Sequence, residues 1–345
     1  MDIQKVLAEL SGIPGPSGHE EKVADKIAEY AAELADEVVR DSLLNVFGVK
    51  KASKPGAKKL LIDAHSDEVG MIITKREGKY LRFMPKGLDP RILPGREVVI
   101  TSDPVTYGVV GIVPGHTETT AQHSAPLTAD KLWIDTGLSE ETLKQRIRVG
   151  TFAGFREKCV PLGKSRFSGK TMDDRACAVM LLRTLEILKD KELDVDVIME
   201  FASQEEVGGK GAAVGAFRWQ PDYAIAVDVN HARAPDANDP NDSRLFELGE
   251  GTPISMGPAT TRKMAKRLLK LAAEQGDKAL PDVMEGGTGT NMGAIQPAAG
   301  GTKSAVISLP LRYMHTAVEV VDLRDIESGA QLLAKFAMSL TGGEL

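Results

Sequence analysis

Four apolar runs recur along the chain, at residues 59–64, 195–201, 223–227 and 304–309. Each is short, bounded by polar or turn residues and rich in Val, Ile and Leu, the pattern of a strand buried within a parallel sheet. Segments with helical spacing lie between them, at 2–11, 19–36, 174–190, 260–275 and 322–341. Val23, Ile27 and Ala31 form one apolar stripe, and Met264, Leu268 and Ala272 another. The breaker cluster Pro14-Gly15-Pro16-Ser17-Gly18 separates the first two helices. Ser17 or Gly18 is expected to cap the second, with Glu20 and Glu21 in its first turn. Strands alternating with helices in this way predict an α/β domain.

The texture changes between residues 72 and 163. Short β-like runs at 71–74, 80–83, 97–101, 107–113 and 131–135 are separated by Gly and Pro, with one short helix at 139–147. This spacing predicts a small β-barrel or sandwich. The expected organisation is an α/β domain from 1–71 and 164–345, with residues 72–163 inserted as a second unit. Within the insert, residues 116–128 are polar, rich in Thr and Ala, and read as a mobile loop carrying His123.

Composition narrows the function classes. The 345 residues carry a net charge of −6, which argues against a general nucleic-acid or anionic-membrane binder. Only Cys159 and Cys177 are present, so a disulfide framework is not expected and a reducing cytoplasm fits. The N-terminus lacks the apolar core of a signal peptide, and no run approaches the length of a membrane span.

The chemistry lies in five acidic or histidine islands at the ends of the apolar runs: His65-Ser66-Asp67, Asp173-Asp174, Glu205-Glu206, Asp228 and His315. Open α/β sheets bind ligands beyond the carboxyl ends of their strands, so residues distant in sequence converge there. Taken singly, each island also has a structural reading: a surface His-Asp pair, a helix N-terminus, a solvated turn, a turn starter and a structural histidine. Five in the same strand-end setting are a different matter, because five independent structural readings would all have to hold. Two imidazoles and several carboxylates form the donor set of a pair of zinc-like divalent ions. Adjacent Glu205 and Glu206 would not face a core; one can ligate while the other acts as general base. There is no His-Glu-x-x-His helix and no P-loop, and Gly286-Gly287-Thr288-Gly289 lacks the acid of a dinucleotide fold.

The segments Ile62-Asp63-Ala64-His65-Ser66-Asp67-Glu68-Val69-Gly70, Lys170-Thr171-Met172-Asp173-Asp174-Arg175, Gln204-Glu205-Glu206-Val207-Gly208, Val227-Asp228-Val229 and Arg312-Tyr313-Met314-His315-Thr316 resemble the tetrahedral, or glutamyl, aminopeptidases. These form family forty-two of the metallopeptidases. The resemblance spans nearly the whole chain. It implies a three-layer, mixed-sheet α/β peptidase domain with an inserted, PDZ-like small β-barrel that mediates dimerisation, and dimers assembling into a dodecamer. It also implies one ion held by His65, Asp173 and Asp228 and a second by Asp173, Glu206 and His315. Glu205 would be the general base, Asp67 would orient His65, and the peptide bond after Asp173 would be cis. Many members carry Gly-Gly-Thr-Asp-Ala near the substrate pocket. Here the stretch reads Gly286-Gly287-Thr288-Gly289-Thr290-Asn291-Met292, which bears on substrate preference.

The expected activity is release of N-terminal residues from short peptides by metal-activated water. Zinc suits the donor set, and cobalt or manganese also fits. An N-deacylase using the same site, or a silent assembly protein, are the alternatives. An acid-selective pocket would need a cation, for which Arg262, Lys263 and Lys303 are candidates.

Overall fold

A computed structural model describes the chain except at residues 118, 120–124, 236–245 and 279, and leaves the side chains at 299 and 343 undescribed. His123 and the middle of the polar stretch 116–128 therefore lie outside the described residues.

The body is an eight-stranded sheet ordered β1-β2-β12-β3-β13-β16-β14-β15. Its centre is the four predicted runs: β3 (Lys58–His65), β12 (Val195–Ala202), β13 (Tyr223–His231) and β16 (Lys303–Leu311). β12, β3, β13 and β16 pair in parallel. Alternate residues on these strands face opposite layers, as the two-residue strand period requires. Leu60, Ile62, Val197 and Ile225 pack under α1 (Ile3–Gly12), α2 (Glu21–Ala32), α4 (Met172–Leu188) and α8 (Leu323–Met338). Leu61, Ile198 and Ala224 pack under α5 (Lys210–Trp219) and α7 (Met292–Ile295). Helix α6 (Arg262–Glu274) joins the first layer through Met264, Ala265, Leu268 and Ala272.

The flanks of the sheet differ from the sequence reading. Residues 33–50 turn out of helix α2 into a hairpin, β1 (Glu37–Arg40) and β2 (Val46–Lys50), whose second strand runs antiparallel to β12. Short β14 (Ile254–Met256) and β15 (Pro281–Val283) finish the other edge. Ser17 does not cap α2; the N-cap is Glu20, without a side-chain cap bond, and Ser17 donates to Asp67 instead.

The inserted unit is a closed antiparallel barrel, β4-β5-β8-β7-β6-β9. Its strands are β4 (Gly70–Glu77), β5 (Tyr80–Lys86), β6 (Glu97–Ile100), β7 (Thr106–Ile112), β8 (Leu132–Asp135) and β9 (Phe152–Phe155), with α3 (Glu140–Arg146) packed against it. It has its own core, including Met71, Ile73, Leu81, Val98 and Ile134. Beyond it, β10 (Val160–Leu162), β11 (Arg166–Gly169) and β17 (Glu319–Asp322) form a three-stranded sheet. That sheet brings the segment before Asp173 alongside the segment after His315. Among the described residues no helix is long and apolar enough to cross a membrane.

Candidate metal centre and active site

The carboxyl ends of β3, β12, β13 and β16 open into one cavity of 250 Å³. His65, Asp173, Glu205, Glu206, Asp228 and His315 all line it, so six of the seven residues singled out in the sequence meet there. Asp67, the seventh, is fully buried beneath. Asp228 is not at a strand end: β13 continues to His231, and Asp228 pairs in register with Ser308 of β16. The carboxylate is therefore carried on rigid strand rather than on a turn.

Asp173 is central. Its Oδ1 lies 3.1 Å from His65 Nε2 and its Oδ2 lies 3.1 Å from His315 Nε2. His315 Nε2 is also 3.3 Å from Glu206 Oε1. The Asp173–Asp174 peptide bond is cis. Ligand-type atoms of His65, Asp173 and Glu206 lie within 4.8 Å of one another, and so do those of His65, Asp174 and Asp228. Asp174 thus joins the second group, a residue the sequence reading paired with Asp173 but gave no separate place.

The other nitrogen of each ring fixes the tautomer. His65 Nδ1 is 3.2 Å from the Asp67 carbonyl oxygen and 3.4 Å from Asp67 Oδ1. His315 Nδ1 is 2.9 Å from the Gly87 carbonyl oxygen, at the end of the barrel's β5. Carbonyl oxygens only accept, so both Nδ1 atoms carry hydrogen. In neutral rings both Nε2 lone pairs then face Asp173. Lone pairs opposed across 3.1 Å repel unless a proton or a cation lies between them. Nitrogen and carboxylate donors converging in this way fit a divalent metal. Without one, His315 is held protonated by Asp173 and Glu206, its pKa pushed up to about 11. Burial opposes charge on His65, but Asp173 and Asp67 outweigh it and hold the ring well above its usual range. Burial raises the carboxyls of Glu205 and Asp228.

A deeper layer of acids holds the backbone beneath these side chains. Asp67 accepts the Ser17 hydroxyl at 2.6 Å and the amides of Glu205 and Glu206 at 2.9 and 3.2 Å. Asp174 Oδ2 accepts the His65 amide at 3.1 Å. Glu319 accepts the amides of both Asp173 and His315. Glu68 accepts from the Gly15 amide, Lys170 Nζ and Thr171 Oγ1. Fully buried Arg175 donates to the carbonyls of Ser66 and Leu10. Sequence reasoning quoted Glu68, Lys170 and Arg175 only as motif letters and missed Glu319. The available signal for Glu319 was an acid opening the apolar run Glu319-Val320-Val321, four residues after His315.

The expected cations for an acid-selective pocket do not reach the cavity. Arg262, Lys263 and Lys303 are absent from its lining. Lys303 sits over the Tyr223 ring at the start of β16, and Thr261, which opens α6, bonds to Ser304. These residues lie at the opposite end of the sheet from His315. The lining beyond the ligand-type residues includes Asn230, His231, Thr288, Thr290 and Met314.

A profile of the M42 glutamyl aminopeptidases matches residues 45–332. A lysyl aminopeptidase from Pyrococcus furiosus is 31% identical over 95% of this chain and 94% of its own length. An aminopeptidase structure from Desulfurococcus kamchatkensis superposes with a TM-score of 0.89 at 33% identity, covering 97% of this chain and 94% of that one. The TET1 peptidase of Pyrococcus horikoshii, described as assembling into a tetrahedron or a large octahedral shell, gives 0.85 at 29% identity, covering 98% and 100%. With the fold, the donor set and the sequence in agreement, the chain belongs to the M42 glutamyl aminopeptidase family and is a metallopeptidase of the aminopeptidase class.

Proposed function

We propose that this chain is a two-metal aminopeptidase in which Asp173 would belong to both ligand sets. His65 and Asp228 would complete one ligand set, Glu206 and His315 the other. The observation that carries this is the pair of imidazole Nε2 atoms facing the two oxygens of one carboxylate at 3.1 Å each. When bound, the ions supply Lewis acidity toward water and the scissile carbonyl. Glu205 lines the same cavity. It takes the proton of the attacking water and passes it to the departing amine. Burial raises its carboxyl, moving the base toward neutral pH, where a general base works best. Asp67 holds His65 Nδ1 from one side and the Glu205-Glu206 turn from the other, so base and ligand share one support.

The substrates are short peptides with a free α-amino group. Among the described residues no Lys or Arg lines the cavity, and the lining favours uncharged N-terminal residues over acidic ones. Zinc is the first metal to try, with cobalt and manganese next. By likeness to the Pyrococcus horikoshii shell-forming peptidase, the subunits assemble into a larger shell, and the inserted unit, residues 72–163, is the surface we assign to their dimer contact. Free Cys159 and Cys177 suit a cytoplasmic setting. The test is hydrolysis of aminoacyl anilides and their N-acetyl counterparts by metal-stripped and metal-loaded protein. Metal-dependent cleavage of free-amine substrates alone supports the reading. Cleavage of the acetylated set would replace it with an N-deacylase.

A further inference from the structure

Glu319 opens β17 four residues after His315. Its register partner is Gly169, the last residue of β11, from which the chain runs through Lys170 and Thr171 to Asp173. The side chain lies between the two segments that carry Asp173 and His315. Oε2 accepts the Asp173 amide at 3.1 Å and Oε1 accepts the His315 amide at 2.7 Å. The residue is only 2% exposed. Burial and the nearby Asp173 charge both oppose its ionisation, so the two amides do not hold it there for free. His315 has φ 60 and Tyr313 φ 61, in the left-handed region that side chains disfavour. A turn of that kind persists only where its surroundings fix it.

Resting on the two-ion reading above, we propose that Glu319 is a positioning residue that fixes Asp173 relative to His315 and so sets the affinity of the metal site those two share. Its oxygens each reach a different ligand-bearing backbone, one in the first turn of α4 and one beyond β16. His65 and Asp228 have their own supports, β3 and β13, so the site they share with Asp173 depends on Glu319 through one ligand rather than two.

The experiment is a cobalt titration of metal-free protein, followed by visible absorption and by elemental analysis after dialysis. Wild type should take two equivalents. Glu319→Gln conserves volume, but its amide can accept from only one backbone donor and turns an N–H₂ toward the other. The second equivalent, held by both Asp173 and His315, should weaken about 10–100-fold, and the first, which shares only Asp173, by clearly less. Asp325→Asn is the control. Asp325 accepts the amides of Gly249 at 2.7 Å and Gly251 at 2.9 Å, the same two-amide arrangement away from the cavity. That variant should lose thermal stability while both cobalt affinities stay put. Two wild-type affinities in Glu319→Gln, or equal weakening of both sites, would overturn the inference. So would a loss of the second site in Asp325→Asn. If Glu319→Gln does not fold, Glu319→Asp keeps the charge but falls a methylene short, and the same ordering of the two affinities is required. Wild type binding fewer than two equivalents would sink the two-ion reading itself, and this inference with it.

Discussion

Two groups of buried acids flank the end of β3, and they are treated in opposite ways. On the cavity side, Asp67, Asp174, Glu319 and Glu68 accept from backbone amides, hydroxyls or Lys170. On the side facing α5 and α7, Asp63 and Glu200 sit next to each other in register on β3 and β12. Among the described residues no backbone amide or cation satisfies their four buried oxygens, and the Asn291 side chain alone approaches Asp63. Gly215 makes room for Glu200: a Cβ there would lie 1.8 Å from its Oε1. Desolvation pushes Asp63 up to about 7 and raises Glu200 well above its ordinary range, each worsened by neighbouring acids. The difference teaches that burial of an acid is not itself a mark of function. What it holds is the mark. Asp67, Asp174 and Glu319 hold the backbone of the candidate ligands and the base, and Glu68 holds Lys170 and Thr171 beside them, whereas the pair on the other face holds no backbone amide and weighs against stability.

The largest expected effect is at the one acid whose role is chemical rather than supportive. Glu205→Gln should lower turnover by about 10²–10⁴-fold with metal content unchanged. Near-wild-type turnover would move the base to another residue. Next comes Glu68, whose carboxylate neutralises Lys170 in a site where both side chains are at most 5% exposed. Glu68→Gln leaves that ammonium buried and unpaired and should cost about 3–5 kcal/mol in denaturant unfolding. An unchanged midpoint would erase the contrast drawn above.

Glu200→Gln should act in the opposite direction and stabilise the protein by about 1–3 kcal/mol at pH 8. The sign follows from linkage. Glu200 has a raised folded pKa, so the folded state holds its proton more tightly than the unfolded chain does. Its favourable contribution is complete below the unfolded value near 4.5 and is lost as pH rises through the folded pKa. The gain from Gln should therefore grow with pH, and a gain that shrinks toward pH 8 would contradict the assignment. The smallest effect is a proton count. His315, near 11 without metal, and His65, held high, must both shed a proton to ligate. Metal loading near pH 7 should release the two ring protons, together with any proton that burial keeps on Asp228, in a weakly buffered titration. No release would mean that the rings are already neutral.

Much of the frame was legible in the chain. The central strands announced themselves as short apolar runs because both faces are covered, and the barrel strands as short runs cut by Gly and Pro. The chemical islands stood out because acids and histidines beyond an apolar run need a reason to be there. Less could be read at the margins. The hairpin of β1 and β2 follows α2 with little to separate them, and β14 and β15 are three residues each, too short to show a period. Ser17 looks like a helix cap by local chemistry, yet its hydroxyl is taken by Asp67, fifty positions away.

The sequence alone determined which residue types are available and that they lie at or near the carboxyl ends of parallel strands, since hydrophobic periodicity is local and written in consecutive residues. It therefore determined the α/β class, the insertion and the candidate metal donors. Only the tertiary structure decided which oxygen meets which nitrogen. An acid opening an apolar run marks Glu319 as unusual, but which amides it accepts, those of Asp173 and His315, is not written in sequence, because every residue but proline offers the same donor. Whether a buried acid is a support or a burden depends on partners that arrive from distant segments, and folding alone brings them there.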